Sequence, residues 1–73
     1  MPNAEIAKIL LEMAELYEMA GVEFKPRAYE KAALSVEAQS GDVREMYKKD
    51  GIKGLMQIPG VGRGIAEHIE EYL

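Results

Sequence analysis

Cysteine is absent from this 73-residue sequence, and so is tryptophan. Without thiols the chain can build neither a disulfide framework nor a thiolate metal site. Histidine occurs once, as His68, so a zinc site would need carboxylates for its other ligands, a poor match to zinc's preferences. No apolar run approaches the ~18 residues of a membrane span. The first residues lack the basic-then-apolar order of a secretory signal. These absences predict a cytoplasmic protein with no membrane partner. What remains is 48% apolar and 30% charged, the composition of a folded globular chain. Its length fits one small domain with a thin core, too short to enclose a large active-site cleft.

The formal net charge is −4, which taken alone disfavours a nucleic-acid partner. Its distribution reads differently. Residues 1–24 set Lys8 against Glu5, Glu12, Glu15, Glu18 and Glu23. Residues 25–64 carry eight basic side chains against five acidic ones, and residues 65–73 carry only Glu67, Glu70 and Glu71. A basic middle between acidic ends permits a local phosphate-binding face, although charge on small helical domains is commonly plain solvated surface.

The apolar positions Ile6, Ile9, Leu10, Met13, Leu16, Tyr17 and Ala20 step by three and four, which predicts a helix over residues 4–20. Asn3 suits its N-cap and Gly21 its C-cap. Pro26 suits the first turn of a second helix, whose buried side is Tyr29, Ala32, Ala33 and Val36 and which stops near residues 40–41. Asp42 caps a third, with Val43, Met46 and Tyr47 inward, ending near residues 50–51. A short apolar turn follows (Ile52, Leu55, Met56, Ile58), then a break at Pro59-Gly60-Val61-Gly62. A final helix runs from about residue 63, with Ile65, Ala66, Ile69, Tyr72 and Leu73 on its apolar stripe. No strand pattern or repeat is present. The expectation is an all-α bundle of four to five short helices.

The stretch Ile58-Pro59-Gly60-Val61-Gly62-Arg63-Gly64-Ile65-Ala66 joins two helices through a Gly-hydrophobe-Gly hairpin, the pattern of a helix-hairpin-helix motif. Gly60 and Gly62 let the backbone turn tightly and meet a ligand with no Cβ in the way. The turn delivers N–H groups at a helix N-terminus, where the dipole favours an anion. Val61 tucks back between the helices. The product is a clamp on DNA backbone phosphates that reads no base edges. A simple turn between packed helices is the plainer alternative. A dinucleotide or Walker-type loop is excluded, because no strand precedes the glycines and their spacing is wrong.

Basic and aromatic residues interleave in Phe24-Lys25-Pro26-Arg27-Ala28-Tyr29-Glu30-Lys31-Ala32-Ala33. Lys25 and Tyr29 are four apart and share a helix face, so an ammonium and a phenol can hold one phosphate. Phe24 either stacks on a base or packs in the core. Tyr29 can do both jobs, ring packed and hydroxyl exposed.

Together these two segments, in this order and separation, resemble the N-terminal, roughly 8-kDa, lyase-type domain of the β-like family X DNA polymerases. The longer connection through residues 42–54 is closer to the bacterial and archaeal branch. The resemblance spans the whole chain. It implies a single DNA-binding domain, residues 1–73, at the N-terminus of a larger repair polymerase, with the polymerase domain C-terminal to it. It implies a monomer that binds the 5′-phosphate side of gapped or nicked DNA in base excision repair, nucleoid-associated in a prokaryote. Lys25 and Tyr29 fall where the family holds the 5′-phosphate, and Phe24 where it stacks on a base. The hairpin Gly60, Val61, Gly62, with Arg63 and Gly64, falls where backbone amides grip a phosphate. The carbonyls of Met56, Ile58 and Val61 fall where the family holds a monovalent cation, Na+ or K+.

One departure bears on activity. His68 occupies the position of the lysine that attacks the sugar aldehyde in the family's 5′-deoxyribose-phosphate lyase, and Gly64 replaces a phosphate-binding lysine. Imidazole cannot form the iminium that such a lyase needs. The expectation is therefore binding without catalysis. His68 either donates to phosphate or is an exposed helix histidine. The alternatives are a lyase using Lys25 or Lys31 and a protein-interaction scaffold.

Overall fold

In the computed structural model, which describes residues 2–73, every regular element is helical. The chain runs α1 (Pro2–Met19), α2 (Lys25–Glu37), α3 (Val43–Leu55) and α4 (Arg63–Tyr72). None of these helices is long and apolar enough to cross a membrane.

α1 starts two residues earlier than its sequence pattern suggests, with Pro2 at its first position, where a missing N–H is harmless. Asn3 is therefore inside the helix and does not cap it. Its side chain is buried and reaches across to the α2–α3 connection. Its Nδ2 donates to the Gly41 carbonyl at 2.7 Å, and its Oδ1 accepts from the Val43 N–H at 2.8 Å. Asp42 accepts from the Arg44 N–H at 2.8 Å. The first two amides of α3 are thus satisfied by two side chains, one local and one distant.

The other end of α1 closes as the sequence indicates. Gly21 takes φ +73°. The N–H groups of Gly21 and Val22 donate back to the Glu18 and Tyr17 carbonyls at 3.1 and 3.0 Å, a Schellman closure. Leu16 and Ala20, placed on the buried stripe by their spacing, are exposed. Leu16 lies two residues beyond the buried Ala14, a rotation of about 200° that carries it to the far side of the helix.

α2 ends at Glu37, short of residues 40–41, because the chain must turn early enough to bring Gly41 and Val43 to Asn3. α3 contains a bend. Gly51 at φ 64°, ψ −147° breaks the helical path, so the third helix and the short apolar turn of the sequence reading are two limbs of one bent helix. Gly54, in the second limb, lies so close to the first that a Cβ would come 2.6 Å from the Met46 carbonyl oxygen.

The core is assembled from all four helices and the hairpin: Ile6, Leu10, Val36, Val43, Leu55, Ile58 and Ile69 are its largest fully buried side chains. Two phenols brace α4 from outside. Tyr47 of α3 donates to Glu70 at 2.6 Å, and Tyr72, 40% exposed and not in the core, donates to Glu5 of α1 at 2.7 Å. α4 is thereby held at both flanks, and its N-terminus faces the start of α2.

Candidate nucleic-acid interface

The hairpin is set by one backbone bond and one glycine. The Val61 N–H donates to the Ile58 carbonyl at 3.0 Å, and Gly60 takes φ +82°, which a residue with a Cβ rarely adopts. The Val61 side chain, 4% exposed, is inserted into the core as expected. Gly62 is the N-cap of α4 at φ −86°, ψ −175°, extended backbone open to any residue. The expectation that both glycines serve the tight turn therefore holds for Gly60 alone.

Gly62 and Gly64 have another property. A Cβ at either would meet nothing within 4 Å. Neither packing nor backbone conformation demands glycine there. The first intrahelical bond of α4 runs from the Ala66 N–H to the Gly62 carbonyl at 2.9 Å, and no side chain caps the helix. The amides of the first turn stand at the positive end of a helix, flanked at Gly62 and Gly64 by positions that carry no side chain.

These glycines line a cleft of about 470 Å³ together with Lys25, Tyr29 and His68. Tyr29 is 4% exposed, so its ring is core while its hydroxyl reaches the cleft wall. That hydroxyl lies 2.6 Å from Nδ1 of His68, thirty-nine positions away. Burial, with Tyr17 beside it, pushes the Tyr29 phenol up to about 12. The phenol therefore keeps its proton at neutral pH, and its hydroxyl and Nδ1 of His68 are joined by one hydrogen bond. His68 is half-buried on the cleft wall, not an exposed helix histidine.

Tyr17 of α1 escaped the sequence reading as a site residue, because its spacing places it on the apolar stripe. Its ring packs on Tyr29 with centroids 5.2 Å apart, and the Lys25 Nζ lies 5.0 Å from its centroid. Only the packing of α1 on α2 creates this contact, so no local signal identifies it.

The remaining candidates lie around the cleft. Phe24, at φ +70° and 84% exposed, lines a neighbouring groove of about 760 Å³ with Arg27 and Lys31. The core alternative for Phe24 is thus incorrect: Pro26, not Phe24, is the buried residue at the start of α2. Lys31 rests its stem against Gly60, 3.6 Å from where a Cβ would stand, and is not on the His68 cleft. Arg63 points along α4 to Glu67 at 3.5 Å. Glu67 and Glu71 add negative charge to the cleft rim, opposite in sign to Lys25.

A family model described as a helix-hairpin-helix domain matches residues 1–73. The chain belongs to the helix-hairpin-helix domain family. Helix-hairpin-helix domains generally bind DNA without sequence preference, and the open amides of the hairpin supply a physical basis for that behaviour. No curated protein and no solved structure matches the chain significantly.

Proposed function

We propose that this helix-hairpin-helix domain holds the 5′-phosphate side of gapped or nicked DNA for a repair polymerase of family X. The observation that carries the proposal is the shared cleft: two sequence segments about thirty residues apart contribute Lys25, Tyr29, the hairpin glycines and His68 to one wall. Those are the same two segments that resemble the family X domain.

In this scheme the amides at Gly62–Gly64 donate to one phosphate, and Lys25 with the Tyr29–His68 pair donates to the terminal one. Phe24 stacks on an exposed base at the break in the duplex. Arg27 and Lys31, beside Phe24, contact flanking backbone. The carbonyls of Met56, Ile58 and Val61 are hard oxygen donors suited to Na+ or K+. The Ile58 carbonyl already accepts one N–H and keeps a second lone pair for a cation. A cation held by these carbonyls would add positive charge beside the hairpin.

A 5′-deoxyribose-phosphate lyase is the second reading, favoured by the position of Lys25. Lys25 is among the residues that line the cleft, whereas Lys31 is not.

Titration of a one-nucleotide gapped duplex, with and without a 5′-phosphate, tests the main proposal. Tighter binding of the phosphorylated duplex is expected, with no base preference and a log–log salt slope of roughly −3 to −4. Equal affinity for both duplexes removes the 5′-phosphate assignment, and a slope near zero removes the backbone clamp.

A further inference from the structure

We propose that Tyr29 and His68 form a proton-coupled pair that tightens the cleft's grip on a phosphate-type anion as pH falls. The proposal rests on the phosphate site described above and adds its regulation.

The geometry is a phenol of α2 against an imidazole of α4. Oxygen and Nδ1 are 2.6 Å apart, and the rings are tilted at 47° with centroids 5.8 Å apart. With neutral imidazole, the phenol donates to Nδ1. The proton on the ring is then on Nε2, which leaves one N–H for a ligand. When the imidazole takes a proton from water, Nδ1 becomes a donor and can no longer accept. Nδ1–H then donates to the phenol oxygen, and the phenol proton turns toward the cleft. One proton taken up thus adds one positive charge and changes the pair from one available donor to two.

The groups facing His68 oppose one another. Lys25 of α2 disfavours a second cation, while Glu67 and Glu71 on α4 favour it, Glu67 being shared with Arg63. From α1, Tyr17 stands behind Tyr29 and brings no carboxylate or ammonium to the pair. Histidine is the side chain that changes charge between about pH 5 and 8. Because the protonated pair binds the anion more tightly, affinity rises as pH falls, and by linkage the bound anion favours protonation.

Inorganic sulfate is the probe, since its charge is constant over this range whereas a phosphate monoester titrates within it. Binding is followed by NMR at constant ionic strength, through the amides of residues 60–64 and the His68 ring protons. Sulfate should bind about fivefold tighter at pH 6 than at pH 8, the worth of one added charge contact. The His68 titration should move to higher pH in the sulfate-saturated protein. His68→Gln should flatten the pH dependence. Tyr29→Phe, which keeps the packed ring, should reduce it, because the charge remains but the second donor is lost. Sulfate that shifts the hairpin amides with pH-independent affinity overturns the coupled pair alone. Sulfate binding that leaves those amides and His68 unmoved overturns the phosphate site as well.

Discussion

The Lys25 ammonium lies 5.0 Å from the centre of the Tyr17 ring, so a residue of α1 orients a cation that α2 presents to the cleft. An ammonium over a phenol face contributes about 0.5–1 kcal/mol at an exposed site. Tyr17→Leu is therefore expected to weaken binding of gapped DNA about two- to fivefold, while Tyr17→Phe, which keeps the π-face, leaves affinity nearly unchanged. Fluorescence anisotropy on both variants checks this. Equal losses in the two would mean that the hydroxyl, not the ring, matters.

The hairpin glycines should separate stability from binding. Gly60→Ala places a Cβ at φ +82° and should cost about 1–2 kcal/mol in urea unfolding. Gly62→Ala, at an extended and open position, should change stability by less than about 1 kcal/mol yet weaken DNA binding, because the methyl stands over the amides. Gly62→Val should weaken binding further.

Much of this hairpin is legible in the sequence because it is local. Gly60, Val61, the Gly21 closure and the Asp42 cap are each decided by residues within a few positions. Asn3 illustrates what is not. It has the right chemistry for a cap and sits at a plausible helix start, but it serves α3 across forty positions. Leu16 fits the helical period and is still exposed, since periodicity locates a stripe but not the width that a partner helix covers. Lys25, Tyr29 and His68 were each identifiable by type. That two of them are hydrogen-bonded to each other, and that Tyr17 supports the third, depends on how α1, α2 and α4 pack.

Asn3→Ala removes the acceptor of a buried amide and the donor of a carbonyl at once. A loss of about 1–3 kcal/mol is expected, with the amide of Val43 exchanging faster than the rest of α3. Thermal melting and hydrogen exchange measure the two effects separately.

The raised Tyr29 phenol makes an alkaline prediction. Its folded value of about 12 lies above the ordinary 10, so the folded state favours the protonated form. The associated stability is fully present below pH 10 and is lost as pH rises through 12. Tyr29→Phe should flatten stability over that window in equilibrium unfolding, whatever its effect at pH 7.

His68→Lys places a primary amine on the cleft wall beside the proposed phosphate site. Lys25, not Lys31, is the neighbouring cation that lowers its pKa, while Glu67 and Glu71 raise it. The expected result is a slow, borohydride-trappable adduct with a 5′-deoxyribose-phosphate substrate, absent in the native protein. Trapping in the native protein that Lys25→Ala abolishes would instead make the unmodified domain a lyase.

Phe24 has a further consequence through its backbone. Its φ of +70° is flanked by the Gly21 closure on one side and by Pro26, with its fixed φ, on the other. The carbonyl of Phe24 also accepts the Ala28 N–H at 3.0 Å, which ties the residue to the first turn of α2. The main chain beneath this exposed ring is therefore already ordered before any partner arrives. A flat group that stacks on it immobilises two side-chain torsions rather than a loop, so little conformational entropy is lost on contact.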